Sequence, residues 1–329
     1  MLALSREDLR RLVTMRDAIE LMKRAFRDLS AGRAVVPLRT GLDVRPGSAT
    51  TLLMPAYLPD VPALGFKVIS IFEENRDRGL PIGNAMVCVI DAATGVPAAL
   101  LEGGYLTALR TGAVSGASAE LMARQDARHL VIIGAGTQGV TQAAAVSVAR
   151  DIETVTVVYR HEASWERYRQ AVARDWPELL DRLRGTTDVE RAVREADIVC
   201  TATTSRTPVF EDAWIRPGTH VAGVGSFTPE MQEVPAAFVA RARVVVDMKA
   251  HALEEAGDLI IPIREGLMSA DDIVGELGEV VAGTVTARTS DDDVTFFKSV
   301  GNAVQDIVVA HTAVERARER GIGQQIDLG

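Results

Sequence analysis

Residues 129–141, His-Leu-Val-Ile-Ile-Gly-Ala-Gly-Thr-Gln-Gly-Val-Thr, constrain the fold most, because a short apolar run passes without a spacer into a glycine loop and then a helical pattern. Leu130 to Ile133 reads as a parallel strand buried on both faces. Gly134 permits the tight turn, Gly136 admits a pyrophosphate close to the backbone, and Gly139 removes the Cβ that would hold the next helix off the strand. The unpaired amides at that helix start face the phosphates. A bare Gly-x-Gly-x-x-Gly is common. With a strand before it, a helix after it and a second strand near Thr154 to Tyr159, it reads as a dinucleotide-binding turn.

The downstream texture is that of a doubly wound sheet: a helix around Glu162 to Arg174, another around Val189 to Glu195, and strands over Asp197–Thr203, Thr219–Gly225 and Arg243–Asp247. Upstream, Ser5 with Asp8 and Thr14 with Asp17 look like two capped helix starts. The second helix carries Ala18, Leu21, Met22, Ala25, Phe26 and Leu29 on one stripe and ends near Gly32. Runs at 50–54, 65–71, 85–90 and 97–101 then read as strands of one sheet, with a tight turn at Asp91–Gly95. The stretch 106–122 is small, apolar and helical, so a buried helix passes close to another element. A final helix over 302–320 is placed to return to the first domain. The expected fold class is therefore α/β: residues 118–301 form a Rossmann dinucleotide-binding domain. Residues 1–117 and 302–329 form an α+β domain completed by the C-terminal helix.

A net charge of −9 and a pI near 5.2 argue against a nucleic-acid or anionic-membrane binder, because no basic surplus exists to neutralise phosphates. Cys88 and Cys200 sit inside apolar runs and match no metal spacing, which implies buried thiols and a reducing compartment. The early charges are wrong for a signal peptide and no apolar run reaches membrane-span length, so the expected location is the cytoplasm. No histidine pair has ligand spacing, so no metal is expected. Gly-x-Ser-x-Gly is absent, which removes the usual hydrolase cue.

Four cations stand in apolar surroundings: Arg39, Lys67, Arg110 and Lys298. Buried cations seldom remain without a partner, and a substrate carboxylate is a natural one. Lys67 has a second possible role, since a desolvated ammonium beside other cations gives up its proton more readily. Where the second dinucleotide-fold strand ends, an acid would bind the ribose hydroxyls of NAD. This strand ends in Tyr159-Arg160-His161, and Arg160 suits a 2′-phosphate. NADPH is favoured over NADH on that ground.

Pro37-Leu-Arg39, Gly65-Phe-Lys67, Leu106-Thr-Ala-Leu-Arg-Thr111, Gly134-Ala-Gly-Thr-Gln-Gly139, Ala196-Asp-Ile-Val199 and Phe297-Lys-Ser-Val-Gly-Asn-Ala303 together resemble the ornithine cyclodeaminase/mu-crystallin family, in that family's order. The resemblance implies a homodimer whose first domain supplies the substrate pocket and the dimer contact. It also implies that Arg39, Lys67 and Arg110 hold a substrate carboxylate beside the nicotinamide. Thr111, Gly134, Gly136, Thr137, Gln138, Gly139, Arg160, Thr201, Thr203, Gly225, Lys298, Val300 and Gly301 form the expected cofactor-binding set.

One departure from the family is informative. Cyclodeaminases carry an acid just after the strand that here leads into Gly225-Ser226, where this chain has Phe227. A phenyl ring neither accepts a proton nor pairs with an ammonium, which argues against complete ornithine cyclodeamination. The Gly-Ser-Phe-Thr-Pro stretch resembles the ketimine reductase branch instead. Ile82 stands where the family often has Thr. The expected activity is NAD(P)H-dependent reduction of a small cyclic imino acid, Δ1-pyrroline-2-carboxylate or Δ1-piperideine-2-carboxylate. The alternatives are a cyclodeaminase, an alanine-type amino-acid dehydrogenase, or a crystallin-like protein that binds NADPH without catalysis.

Overall fold

The computed structural model describes residues 1–46 and 48–327, the side chain of Arg76 excepted. The chain divides into two compact units, Met1–Arg110 with Asn302–Gly329, and Thr111–Gly301. The first unit opens with β1 (Leu2–Leu4), α1 (Arg6–Leu12), α2 (Met15–Ser30), β2 (Thr40–Arg45), β3 (Ala49–Leu58), β4 (Ala63–Phe72), β5 (Gly83–Asp91) and β6 (Pro97–Glu102). Helix α3 (Gly103–Met122) contains the division between the units, and the boundary expected after residue 117 lies further along this same helix. The second unit continues with β7 (His129–Ile133), α4 (Thr137–Ala149), β8 (Thr154–Val158), α5 (Glu162–Asp175), β9 (Leu183–Thr186), α6 (Val189–Glu195), β10 (Ile198–Thr201) and β11 (His220–Gly223). After these come α7 (Ala236–Arg241), β12 (Arg243–Val246), α8 (Lys249–Glu255), α9 (Gly257–Arg264), β13 (Ile273–Glu276), α10 (Leu277–Ala282) and β14 (Thr295–Lys298). Helix α11 (Ala303–Arg320) and β15 (Gln324–Gln325) belong to the first unit.

In the first unit both expected helix starts are capping boxes: Ser5 and Asp8, then Thr14 and Asp17, satisfy each other's backbone amides. The four strands read from the sequence form the middle of a seven-stranded sheet of order β15-β1-β6-β5-β4-β3-β2. Along β3 and β4 the buried positions alternate, with Met54, Ala56, Leu58, Ala63, Gly65 and Lys67 on one face. Helix α11 packs against β3, β4 and β5. Gly65 makes that approach possible, because a Cβ there would run into the Cys88 carbonyl and lie 3.2 Å from Ile307 Cδ1. At the β5–β6 turn the Asp91 carboxylate accepts from the Ala93 and Thr94 amides and the Thr94 hydroxyl.

The second unit is an eight-stranded sheet of order β13-β12-β14-β11-β10-β7-β8-β9, and every pair in it is parallel. From β7 the chain steps through β8 and β9 to one side, then returns to β10 and β11 on the other. The strand order therefore reverses between β7 and β10, and ligands of such sheets bind at the carboxyl ends beside that point. Close packing supports the reversal: a Cβ at Gly112 of α3 would lie 2.5 Å from the Thr141 carbonyl of α4. Arg150 terminates α3, donating to the carbonyls of Glu120, Ala123 and Arg124. His251 lies buried within α8. Among the described residues, no helix is long and apolar enough to cross a membrane and no group of three or more His, Cys, Asp or Glu is placed to hold a metal ion.

Candidate functional site

In the second unit the glycine loop leaves β7 between its two partners, with Ile133 in register with both Val158 and Thr201. Gly134 has φ +122°, and a Cβ on it would lie 2.5 Å from the Ala202 carbonyl oxygen, so a glycine is required. A Cβ on Gly139 would run into the Gly134 carbonyl and sit 2.9 Å from Ile132 Cγ2. Gly136 differs, because nothing lies within 4 Å of the Cβ position and open space faces the backbone. It is the N-cap of α4, whose first turn, with Thr137 and Gln138, has no side-chain cap and no acid. Those features fit an anion such as a dinucleotide pyrophosphate.

The other candidate cofactor residues sit on loops that continue the parallel strands. Thr201 ends β10 and Thr203 follows it, Gly225 follows β11, and Lys298, Val300 and Gly301 end or follow β14. Two buried carboxylates absent from the sequence reading fasten these loops. Glu233 accepts from the Thr203 amide at 2.6 Å, its hydroxyl at 2.8 Å, the Thr201 hydroxyl at 3.1 Å, the Gly225 amide at 2.6 Å and the Ser226 amide at 3.2 Å. Burial pushes the Glu233 pKa up, against the pull of the Lys298 charge and the Thr203 donors. Asp247 Oδ2 accepts from the Ser299 hydroxyl and the Val300 and Gly301 amides.

Lys298 is fully buried, with Nζ 2.9 Å from Asp258 Oδ2, an ion pair by distance whose angle misses hydrogen-bond geometry. A substrate carboxylate is therefore not needed to account for Lys298, because Asp258 is its partner. Thr111 is buried at the start of the unit. Arg160 is exposed beyond β8 and makes no hydrogen bond or ion pair among the described residues. Beside it Tyr159 stacks on Trp165 and donates to the Glu162 carboxylate. Phe227 is half-buried in the loop after β11.

The first unit holds the cationic cluster. Lys67 lies on β4 between Met54 and Val87, is 1% exposed, and donates to Asp306 Oδ2 at 2.7 Å. Arg110 Nε donates to Asp306 Oδ1 at 3.0 Å, and Nη1 to Gln305 Oε1 at 2.8 Å. Arg39 is half-buried in the segment before β2, near enough that its charge acts on Lys67. Asp306 of α11 is a partner of Lys67 and Arg110 that the sequence reading does not name, and it neutralises part of their charge. The signal for Asp306 in the sequence is an acid between Val304 and Ile307, inside the apolar stripe of the last helix. Burial and the Arg110 charge push the Lys67 pKa down to about 8, with Asp306 opposing them. The cluster thus combines an excess of positive charge with an amine that can exchange a proton near neutral pH.

The sequence matches the model of the ornithine cyclodeaminase/mu-crystallin family over residues 1–321, so the chain belongs to that family. It is 42% identical over 331 residues to a Δ1-pyrroline-2-carboxylate reductase of Bacillus cereus, covering 100% of both chains. The structure of Thermococcus litoralis Δ1-pyrroline-2-carboxylate reductase in complex with NADH and L-proline is similar, with TM-score 0.94 and 40% identity, covering 99% of this chain and 100% of that one. An archaeal alanine dehydrogenase dimer with bound NAD superposes with TM-score 0.91 and 29% identity, covering 100% of this chain and 99% of that one.

Proposed function

We propose, with membership of that family as the premise, that this chain reduces Δ1-pyrroline-2-carboxylate or Δ1-piperideine-2-carboxylate to L-proline or L-pipecolate with a nicotinamide cofactor. The observation that carries the proposal is the Lys67 site, a buried, proton-labile ammonium in a net cationic cluster, in a chain that also has a complete dinucleotide turn. When bound, the nicotinamide supplies hydride to the imine carbon. Arg39 and Arg110 orient the carboxylate, and Lys67 delivers the proton to the imine nitrogen, directly or through water, so that C=N becomes CH–NH. Thr111, Gly134, Gly136, Thr137, Gln138, Gly139, Thr201, Thr203, Gly225, Val300 and Gly301 would hold the cofactor, with Lys298 acting through the Glu233 carboxylate that fastens the Thr203 and Gly225 loops. Arg160 favours NADPH, although the solved relatives named above hold NADH or NAD.

Phe227 favours the reductase over a cyclodeaminase, since no acid stands there to manage a distal amine. The likeness to alanine dehydrogenase supports a second reading, oxidation of an open-chain amino acid. A spectrophotometric screen separates them: oxidation of NADH and NADPH against both cyclic imino acids and against 2-oxo acids with ammonia or amines, NAD reduction with L-alanine, and ammonia release from ornithine. Turnover with alanine but with neither imino acid would sink the reductase reading. Tight NADPH binding with no turnover would support the non-catalytic reading.

The proposed assembly is a homodimer. By alternation Leu53, Phe66, Val68 and Met86 share the sheet face opposite α11, and Leu53 and Met86 remain 42% and 46% exposed. A second copy is the occupant that this face suits, and the archaeal alanine dehydrogenase similar to this chain is a dimer. A monomer by light scattering would refute it. Buried thiols at Cys88 and Cys200 suit the reducing cytoplasm.

A further inference from the structure

We infer that Asp306 is a positioning residue for the reaction proposed above, its one carboxylate holding Lys67 and Arg110 in a fixed geometry and offsetting the repulsion between them. Asp306 is fully buried, and each of its oxygens takes one cation, Oδ2 from Lys67 and Oδ1 from Arg110 Nε. The preceding residue completes the grip. Gln305 Oε1 accepts from Arg110 Nη1 and also from the Asn302 amide that starts α11, so the guanidinium is locked to the first turn of that helix. Because α11 packs across β3, β4 and β5, this turn fixes where the carboxylate stands over β4.

The charged groups facing Lys67 come from three elements: Asp306 on α11, Arg110 on α3 and Arg39 before β2. Its strand neighbours Met54 and Val87 contribute no charge. Without Asp306 the amine would lose the carboxylate that pairs with it while still facing the Arg110 and Arg39 guanidiniums, and its proton would leave at lower pH. Arg110 would lose the partner that aims it. Lys67 and Arg110 share one acid, so their group keeps an excess of positive charge. That excess meets the carboxylate of an imino acid, and the ammonium delivers the proton.

The inference rests on Lys67 as proton donor, and the test separates the two. kcat/KM for Δ1-pyrroline-2-carboxylate is measured against pH for the wild type, Lys67→Met, Asp306→Asn and Asp306→Glu, with NADH affinity by fluorescence as a control. In the wild type the alkaline limb falls near about 8. Asp306→Asn should move that limb to lower pH by about 1–3 units and raise the KM for the imino acid, with NADH affinity retained. Asp306→Glu keeps the charge but cannot keep both contacts in a closed site, so its limb should move the same way by less. That variant carries the test if the asparagine form does not fold. A folded variant whose limb and KM match the wild type overturns the role of Asp306. If Lys67→Met keeps the wild-type limb, the proton-donor reading falls instead. If Lys67→Met abolishes turnover while both Asp306 variants keep the limb, only the inference falls.

Discussion

Replacing Lys67 by Met tests the energetics of the cationic cluster independently of any assay for turnover. Burial and the Arg110 charge lower the Lys67 pKa from 10.5 to about 8 in the folded protein, and at 1.36 kcal/mol per pKa unit this is a native-state cost of ~3 kcal/mol. The sign follows from proton counting. Below pH about 8 the folded and unfolded chains both hold the proton, and the fold bears the whole cost. Between about 8 and 10.5 the unfolded chain holds more protons than the folded one, so stability rises with pH. Above that window the cost is gone.

Methionine does not titrate. The stability of the wild type minus that of Lys67→Met should therefore climb by ~3 kcal/mol from pH 7.5 to 10.5. Urea titrations of both proteins at four pH values in that range read the difference, with equal m-values confirming that the same surface is exposed. The background is small, because the chain has only four lysines, at positions 23, 67, 249 and 298, and the other three cancel in the subtraction. A flat difference would refute the argument. A falling one would mean that Asp306 outweighs burial and Arg110. In the same variant, turnover of the cyclic imino acid should drop by about 100- to 10,000-fold.

Gly139→Ala should destabilise by about 1–3 kcal/mol and weaken NADH binding, because its methyl meets the Gly134 carbonyl, whereas Gly136→Ala has room and should weaken binding alone; calorimetric titration beside thermal melts separates the two. His220, buried between Ser118 and Thr295, has its pKa pushed down to about 3 by burial. The unfolded chain protonates first, so stability should fall by about 1.4 kcal/mol per unit as pH drops from 6.5 toward 3, and His220→Gln should remove that slope in acid titrations monitored by circular dichroism. Arg160→Glu should raise the KM for NADPH at least about tenfold while leaving that for NADH within about twofold; equal effects on both cofactors would remove Arg160 from phosphate recognition.

The elements legible in the sequence are those whose causes are local. Capping boxes at Ser5 and Thr14, the alternation through β3 and β4, and the steric demand on Gly139 all involve residues near one another in the chain. What escaped is short or non-local. The strands β9 (Leu-Arg-Gly-Thr), β13 (Ile-Val-Gly-Glu) and β14 (Thr-Phe-Phe-Lys) hold at most two consecutive apolar residues each, and β2 is exposed along its whole length, so none shows an apolar run or period to read. The buried carboxylates escaped for a different reason. Asp306 meets Lys67 across 239 positions of sequence, and no local pattern says which acid a buried cation will find.

That non-local information decides the chemistry, as Lys67 and Lys298 show. Both are lysines in apolar strands, both are almost wholly buried, and each lies within ion-pair distance of one aspartate. Lys298 also feels Glu233, so two acidic side chains stand near one cation and no excess of positive charge is left. An incoming anion gains nothing there. Lys298 instead acts through its charge on the Glu233 carboxylate that fastens the Thr203 and Gly225 loops. Lys67 shares its one aspartate with Arg110 and feels Arg39 as well, which leaves the group net positive. An anion is attracted there, and the ammonium is the easiest of the three cations to deprotonate. From a sequence that presents two similar lysines, the partners supplied by α11 on one side, and by α9 and the turn before α7 on the other, suit one to the proton-donor role proposed above and tie the other to the carboxylates around the Thr203 and Gly225 loops.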